Sequence, residues 1–524
     1  MSEDLYHNCG VAALYWLAEP AGRGGPASRG VRKGNVAELM PSVLLDLQNR
    51  GQLAAGLSSY NADRLQILDT YKDVGTVQEA FGMSHPERYR RLLADHAGPA
   101  AVGHTRYATC GLDDARYAQP FERHHGRLWK WFSFAFNGQL GNYPDLRNRL
   151  LSKRHYHFSL NTDTEIIMHA LAYRLRGDKR PGLREVMASL ARSFDGAYNL
   201  VFLDGLGRMF VARDPMGFRP LSYAVQGRFF AAASESVALA NLGFEDIRPL
   251  EPGQMAIVED GKLRFEQFGV RKRKARCFFE WVYFSNVAST IDGSDVYTAR
   301  ARLGRRLAEL EEQQVDDSCI VVPVPDTAKA SADAYAYRMG IPSVEGLIRN
   351  RYVGRTFIQP DSSRTRSAKG KYTPLPAVLG GKRVFLVEDS IVRSTTLATL
   401  VKRIYRRGRA KEVHVRVACP PIVSPCFYGI DMSTLGELFA PKFVAKGYAG
   451  SPSDRMLAEM AETLGVTTLR YLSVADLATA LSLPEESLCT GCVTGRYPTA
   501  WGNKLIRQAR RNRVDGRGGR TYEG

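Results

Sequence analysis

The sequence has no run of about 20 consecutive apolar residues, the length that a membrane-spanning helix needs. The segment from Met1 to Asn8 is short and acidic. It lacks the basic and apolar regions of a secretory signal, so we expect a cytoplasmic protein. No repeat of fixed period is visible, and no helix-turn-helix, zinc-finger or RNA-binding signature accompanies the basic residues. We therefore expect neither a membrane nor a nucleic acid as partner.

What is present indicates a globular chain of several domains. The 524 residues are too many for one ordinary core, and 44% of them are hydrophobic. The formal net charge of +18 is concentrated in residues 271–276, 403–409 and 504–520. Such a balance suits a polyanionic small substrate as well as a solvated surface.

The eight cysteines should be reduced in the cytosol. Cys489 and Cys492 form a Cys-x-x-Cys pair, which suggests a metal, a cluster or a redox pair before a disulfide. Cys110, Cys319 and Cys419 have no such spacing, and we interpret them as core residues.

The pattern of the chain changes near its middle. Residues 9 to about 260 read as short strands with two amphipathic helices, over 36–48 and 164–176, which predicts an α+β fold rich in antiparallel sheet. The basic run 271–276 reads as a linker. Beyond it, buried strands alternate with helices over 330–339 and 395–407, which predicts a parallel α/β sheet. The polar stretch 361–371 reads as a mobile loop, and the tail after about 500 as a frayed end.

Cys9 begins an apolar, strand-like run. A buried structural cysteine is the ordinary interpretation. The alternative is that residues 1–8 are removed, so that Cys9 carries a free α-amine with a pKa of about 7.7–8, which serves as the base for its own thiol.

A second candidate site follows the strand-like run 384–387. Glu388 and Asp389 stand at its end, and a hydroxyl-rich loop leads into a helix. The unpaired N–H groups of a helix N-terminus suit a phosphate, and two carboxylates can accept hydrogen bonds from ribose hydroxyls. A capped helix after an exposed acidic turn is the alternative.

Five motifs occur in the order found in class II glutamine amidotransferases, which are N-terminal-nucleophile hydrolases. They are Cys9-Gly10-Val11, Arg50-Gly51-Gln52, Gly103-His104-Thr105-Arg106-Tyr107, Asn137-Gly138 and Thr162-Asp163-Thr164-Glu165. The segment 388–396 looks like the ribose-phosphate motif of type I phosphoribosyltransferases. Together they make residues 9 to about 500 resemble the glutamine phosphoribosylpyrophosphate (PRPP) amidotransferase family.

The resemblance implies a domain order. An α+β N-terminal-nucleophile hydrolase sandwich with αββα layers would occupy residues 9–262, after a propeptide of residues 1–8. An α/β type I phosphoribosyltransferase domain with a parallel sheet would occupy 263–500, including a cluster-binding C-terminal segment. Residues 501–524 would be a basic tail.

For the first domain, the resemblance implies that Cys9 attacks the glutamine amide. Arg106 would hold the substrate carboxylate, and Asp163 its ammonium group. Asn137 and the Gly138 N–H would form the oxyanion hole. Each residue also has an ordinary interpretation: Asn-Gly as a hairpin turn, Asp163 as a helix N-cap, and Arg106 as a surface arginine.

For the second domain, the resemblance implies a PRPP site. Asp326 and Thr327 would belong to a pyrophosphate loop beside Mg²⁺, and Lys369 and Lys371 to a flexible loop that closes over the substrate. Glu388 and Asp389 would hold the ribose hydroxyls and are candidate Mg²⁺ ligands. The 5′-phosphate would bind the loop that contains Ser390, Arg393, Ser394, Thr395 and Thr396.

The cysteines Cys277, Cys426, Cys489 and Cys492 match the ligands of the iron–sulfur branch of the family. Four thiolates are what a [4Fe–4S] cluster requires. From spacing alone, a Cys₄ zinc site would fit equally well. The expected role of the cluster is structural.

The implied reaction converts glutamine, PRPP and water to 5-phosphoribosylamine, pyrophosphate and glutamate, the first step of purine biosynthesis. A divergent glutaminase with another acceptor, or an inactive phosphosugar- or nucleotide-binding regulator, are the alternatives. By analogy with the family, we expect a homotetramer inhibited by purine nucleotides.

The sequence departs from the family at several positions. Asn49 and Phe136 stand where the family has histidine, and Ser394 where it has glycine. One acidic residue of the ribose motif is Glu388 rather than aspartate. The segment 285–289, Ser-Asn-Val-Ala-Ser, also differs from the family pattern in a region that couples the two sites.

Overall fold

The computed structural model describes residues 9–21, 34–107, 114–153, 155–160, 162–270, 273–349, 372–430, 432, 434–445 and 447–515. Within those ranges, no helix combines the length and apolar character needed to cross a bilayer.

The first half of the chain is built on antiparallel strands. In chain order they are β1 Gly10–Trp16, β2 Ala54–Tyr60, β3 Leu68–Val74, β4 Ala100–Arg106, β5 Phe121–Arg123, β6 Phe132–Leu140, β7 Gly196–Asp204, β8 Met209–Arg213, β9 Ser222–Gln226, β10 Phe229–Ala233, β11 Ile247–Pro249, β12 Gln254–Glu259 and β13 Lys262–Gln267. They form a seven-stranded sheet in the order β11-β9-β10-β1-β4-β2-β3 and a six-stranded sheet in the order β13-β12-β8-β7-β6-β5.

Side-chain alternation along β1 explains how these sheets stack. Val11 and Ala13 face a core shared with Ala135 and Val201 of the second sheet. Ala12 and Leu14 point the other way, into a core with the helix Met40–Asp46. A third core lies between the second sheet and its own helices. The layers therefore run helix, sheet, sheet, helix, which confirms the predicted αββα sandwich.

The helices of this unit are short. They are Met40–Asp46, Val77–Ala80, Pro86–Asp95, Tyr143–Leu151, Asp163–Arg174, Leu183–Ala191 and Ser236–Asn241, with 3₁₀ turns at Ala37–Leu39, Ala115–Tyr117 and Leu128–Lys130. The first predicted helix thus forms over a shorter range than 36–48, because a 3₁₀ turn precedes it.

The second half has the predicted parallel sheet. Its further strands are β14 Arg276–Cys277, β15 Thr290–Ile291, β16 Ser294–Asp295, β17 Cys319–Pro323, β18 Leu347–Arg349, β19 Tyr372–Pro374, β20 Arg383–Glu388, β21 Glu412–Val417, β22 Thr468–Tyr471 and β23 Leu488–Cys489. The main sheet has the order β17-β20-β21-β22, and every neighbouring pair in it is parallel. Its apolar strands are buried on both faces, as parallel sheets require.

Helices cover this sheet and extend beyond it. They are Val296–Glu309, Lys329–Met339, Pro376–Leu379, Ser394–Arg406, Asp454–Leu464, Val474–Leu481, Gly491–Thr494 and Ala500–Val514, with a π-helix at Glu280–Phe284 and 3₁₀ turns at Ala440–Lys442 and Glu485–Ser487.

Two predictions about irregular segments need correction. The segment after 500 is not frayed over 500–514, because Leu505, Ile506 and Ala509 share one face of a helix and are buried in the core around the parallel sheet. The basic run 271–276 is not a free linker over its described part: Ala275 is buried, and Arg276 starts β14.

Candidate functional site

Cys9 lies buried immediately before β1. The pairing of Gly10 with Thr105 places it across from Arg106, at the end of β4. Burial raises the pKa of the Cys9 thiol to about 11, although the Tyr107 backbone N–H and Arg106 act in the opposite direction. The thiol is therefore protonated at neutral pH and needs a nearby base before it can attack.

Asn137 and Gly138 lie inside β6, paired with Asn199 and Tyr198 of β7. They are therefore not a hairpin turn. A Cβ at Gly138 would lie 2.0 Å from the carbonyl oxygen of Ala197, so the strands can approach this closely only with glycine there.

The Asn137 side chain is fully buried, and its Nδ2 donates to Ser234 Oγ at 3.4 Å. Its Oδ1 has no hydrogen-bond partner among the described residues. Ser234 Oγ also accepts from the backbone N–H of Val11 at 3.0 Å. One hydroxyl therefore connects the predicted oxyanion amide to the strand that begins next to Cys9.

Arg106 and Asp163 are both buried, and both charges act on the Cys9 thiol. The Arg106 guanidinium lies 5.4 Å from the centre of the Tyr117 ring, so it is not a loose surface arginine. Asp163 is the first residue of its helix and accepts from Leu140 N–H at 3.3 Å. The N-cap is Thr162 instead. A cationic and an anionic partner thus flank one thiol.

The second candidate site lies at the carboxyl ends of β17 and β20. Val324 N–H donates to Val387 O at 2.9 Å, which brings the two following loops together. Asp326 is exposed beside Thr327 and forms an ion pair with Arg349. Crevices outside the carboxyl ends of parallel strands are where such sheets bind ligands.

The two carboxylates at the carboxyl end of β20 differ in environment. Asp389 is buried and accepts from Ser390 Oγ at 2.6 Å, whereas Glu388 is half-buried. Tyr372, which the sequence analysis missed, donates from its hydroxyl to Pro325 O at 3.0 Å. Burial raises the pKa of Tyr372, and the charges of Glu388 and Asp389 raise it further, so this side chain lies beside both loops.

The helix Ser394–Arg406 begins directly after the loop 389–393. Its N-cap residue Arg393 makes no side-chain capping hydrogen bond and instead pairs with Glu437, Nη2 to Oε2, at 3.3 Å. Thr395 is exposed, and Ser394 and Thr396 are partly so. A helix start with no capping side chain and accessible hydroxyls suits a phosphate. Lys369 and Lys371 lie outside the described residues.

Four cysteines line one cavity between the start and the end of the second unit. The parallel pairing of β14 with β23 sets Cys277 opposite Cys489, and Cys426 and Cys492 complete the set. In the described ranges, no three His, Cys, Asp or Glu side chains are grouped so as to hold a single ion. A Cys₄ zinc site would need all four sulfurs about 2.3 Å from one centre. Four thiols on one cavity are a donor set that a zinc ion or an iron–sulfur cluster uses.

The departures from the family pattern have local explanations. Asn49 Nδ2 donates to Glu235 Oε1 at 2.7 Å and to Phe284 O at 3.1 Å. Phe136 is buried in the aromatic core beneath the second sheet. In the segment 285–289, Glu235 Oε2 accepts from the Asn286 N–H at 2.7 Å and the Ser289 hydroxyl at 2.8 Å.

Comparison with known proteins supports both halves. A sequence model described as "Glutamine amidotransferase domain" matches residues 90–248. The amidophosphoribosyltransferase of Methanothermobacter thermautotrophicus is 37% identical over 499 residues, covering 95% of each chain. That of Bacillus subtilis is 35% identical over 467 residues, covering 87% of this chain and 90% of the relative.

Two solved structures are similar over nearly the whole chain. Glutamine PRPP amidotransferase from B. subtilis complexed with ADP and GMP superposes with a TM-score of 0.76 at 33% identity, covering 94% of this chain and 98% of that one. A structure described as the allosteric regulatory enzyme of purine biosynthesis gives 0.77 at 34%, covering 94% and 96%. The chain therefore belongs to the amidophosphoribosyltransferase family of enzymes.

Proposed function

We propose that this chain releases ammonia from glutamine at Cys9 and adds it to PRPP at the site after β20, yielding 5-phosphoribosylamine, pyrophosphate and glutamate. This reaction is the first step of purine biosynthesis. The observation that carries the proposal is the grouping, in one unit, of the buried Cys9 thiol, the Asn137 side-chain amide and two opposite charges. In the other unit, a helix begins without a capping side chain, which suits a phosphate.

In the glutamine half, the Cys9 sulfur attacks the amide carbon. The carbonyl oxygen becomes an oxyanion that accepts from Asn137 Nδ2 and the Gly138 N–H. Arg106 binds the substrate carboxylate and Asp163 its ammonium group. The C–N bond breaks, ammonia leaves with a proton taken from the thiol, and water hydrolyses the thioester to glutamate. The α-amine of Cys9, once residues 1–8 are removed, carries the proton between these groups.

In the phosphoribosyl half, Glu388 and Asp389 accept hydrogen bonds from the ribose hydroxyls. The 5′-phosphate binds Ser390, Arg393 and the first turn at 394–396. Asp326 and Thr327 lie next to the pyrophosphate, and the family resemblance assigns Lys369 and Lys371, which lie outside the described residues, to the same substrate. Glu388 and Asp389 would also hold a Mg²⁺, which when bound would supply neutralisation of charge on the leaving group.

The segment 280–289 lies between the two sites. Arg300 donates from its guanidinium to the backbone oxygens of Trp281, Tyr283 and Ser285. Burial lowers the pKa of Arg300, and the carboxylates of Asp389 and Glu235 both oppose that shift. Arg300 therefore lies close enough to one carboxylate of each half to interact with both electrostatically.

We also propose that Cys277, Cys426, Cys489 and Cys492 hold a [4Fe–4S] cluster. Support comes from their convergence on one cavity. Its contribution would be structural, because β14 begins the second unit and β23 belongs to the C-terminal segment. A cluster would fix these two distant segments to each other.

Our proposals for regulation, assembly and location rest on analogy with the family. The B. subtilis relative was solved in complex with ADP and GMP, and we propose that purine nucleotides bind and inhibit this chain. We further propose a homotetramer in the cytoplasm.

The proposal is tested by measuring glutamate release with and without PRPP, together with the intact mass of the mature chain. We expect glutamate release to depend on PRPP, and the intact mass to be that of a chain whose first residue is Cys9. Glutamate release at the same rate with and without PRPP would identify a glutaminase with another acceptor. Retention of residues 1–8 on every molecule would favour an inactive regulator.

A further inference from the structure

Four buried side chains of alternating charge connect the cysteine cavity with the glutamine site. Arg219 lines the cavity and donates from Nη1 to Glu280 Oε1 at 2.9 Å. Glu280 Oε2 accepts from Arg50 Nη2 at 2.6 Å. Arg50 Nε donates to Glu235 Oε1 at 2.7 Å. None of the four side chains is more than 1% exposed.

The chain of charges ends at Glu235, the residue next to the hydrogen-bond partner of Asn137. Glu235 directly follows Ser234, whose hydroxyl accepts from Asn137 Nδ2 and from the Val11 N–H. Ser234 N–H also donates to Val11 O at 2.9 Å. An amide nitrogen has two hydrogens. Because Ser234 Oγ accepts one hydrogen of Asn137 Nδ2, the other hydrogen points in a fixed direction, as an oxyanion hole requires.

We infer that Arg219, Glu280, Arg50 and Glu235 are positioning residues of the glutamine site, that they act through Ser234 on Asn137, and that they tie this site to the four-cysteine cavity. This inference rests on the proposed glutaminase reaction. Two arginines and two glutamates cancel in charge, so the buried set is electrically balanced. Each member has a partner within hydrogen-bond distance, which gives the set a single arrangement.

The experiment compares amide hydrolysis with thiol reactivity in the full-length holoprotein. The test variant is Arg219→Met with Glu280→Gln, which removes one pair without leaving a lone charge. We expect kcat for glutamine to fall about 10- to 100-fold, less than the roughly 100- to 1,000-fold loss on removing an oxyanion donor outright, because Asn137 is misplaced and not removed. KM for glutamine and ammonia-dependent synthesis should change by less than about threefold, because Asn137 is needed for neither. Alkylation of Cys9 by iodoacetamide should fall far less than kcat, because the only effect on it is loss of the Arg219 charge, which lowers the pKa of the Cys9 thiol.

The matched control is Arg208→Met with Asp204→Asn. This pair is as buried, is joined at 2.7 Å and lies in the same unit. Asn199 is the β7 residue that pairs with Asn137. Asp204 lies five residues further along β7, about 17 Å from Asn199. We expect the control to keep kcat within about threefold of wild type. An equal fall in both variants, or a parallel fall in Cys9 alkylation, would overturn the inference.

A second variant covers the case in which the double substitution does not fold. Ser234→Ala removes only the hydroxyl, and we expect the same split between kcat and alkylation. Unchanged kcat in Ser234→Ala would overturn the inference. The proposed function is tested separately, because alkylation of wild-type Cys9 must stop glutamine use and spare ammonia use.

Discussion

Arg50 and Glu280 form a two-pronged ion pair between the two folded units, with Nη2–Oε2 at 2.6 Å and Nη1–Oε1 at 3.4 Å. Burial alone would raise the pKa of Glu280, but Arg50 and Arg219 outweigh it and lower that pKa to about 2. The pair therefore holds a carboxylate ionised in the interior at neutral pH.

Replacing Glu280 with glutamine should destabilise the protein strongly. Two arginines would lose their buried partner, and breaking such a pair costs about 3–5 kcal/mol. Urea unfolding measures the loss. Glu459→Gln is the control, because Glu459 pairs with Arg455 at the surface and is 44% exposed, where such a pair contributes below about 1 kcal/mol. Equal unfolding midpoints for the two variants would contradict the prediction.

The lowered pKa of Glu280 predicts how the free energy of unfolding depends on pH. The folded pKa of Glu280 lies below its ordinary value of 4.5, at about 2, so its contribution is present above pH 4.5 and is lost as the pH falls towards 2. Asp292, held by Arg213 and Arg276, has a pKa lowered to about 2 and acts in the same direction. Unfolding free energies at several pH values between 5 and 2 should fall more steeply for wild type than for Glu280→Gln.

Cys9→Ala should abolish glutamine-dependent synthesis and preserve ammonia-dependent synthesis. The thiol supplies the nucleophile for glutamine only, whereas added ammonia reaches the second site directly. Product formation is measured with each nitrogen source. Loss of both activities in a folded variant would mean that the two halves are wrongly assigned.

Asp389→Asn should impair PRPP use and spare basal glutaminase. The substitution removes the charge of a buried carboxylate that accepts from Ser390 at 2.6 Å. A hydrogen bond to a charged group contributes about 1.5–3 kcal/mol, so KM for PRPP should rise about 10- to 100-fold. Asp333→Asn is a suitable control, because Asp333 lies in the helix Lys329–Met339 and bonds Ser343 instead. A normal KM would argue against a ribose-binding role.

Metal analysis of protein purified without oxygen should find about four irons per chain and a brown colour. Cys489→Ser should lower the iron content, whereas Cys319→Ser should leave it unchanged, because Cys319 belongs to β17 and not to the cavity. Stoichiometric zinc in place of iron would overturn the cluster.

The sequence predicted the secondary structure of the second unit closely. The helix over 330–339 forms as Lys329–Met339, and the helix over 395–407 as Ser394–Arg406. The helix Ser394–Arg406 has a strong amphipathic pattern, and Lys329–Met339 is rich in alanine, the best helix former; both are local signals. The tail after 500 was predicted wrongly because its many basic residues concealed three apolar positions on one helix face.

The sequence by itself determined the domain order, the alternation that builds both kinds of sheet, and the motif residues that belong to the family. Only the tertiary structure decided which buried charges pair. Arg50 meets Glu235 and Glu280 across 185 and 230 residues of chain. Periodicity and spacing report contacts within a few turns of the chain, whereas partners this distant are set by how the two units pack.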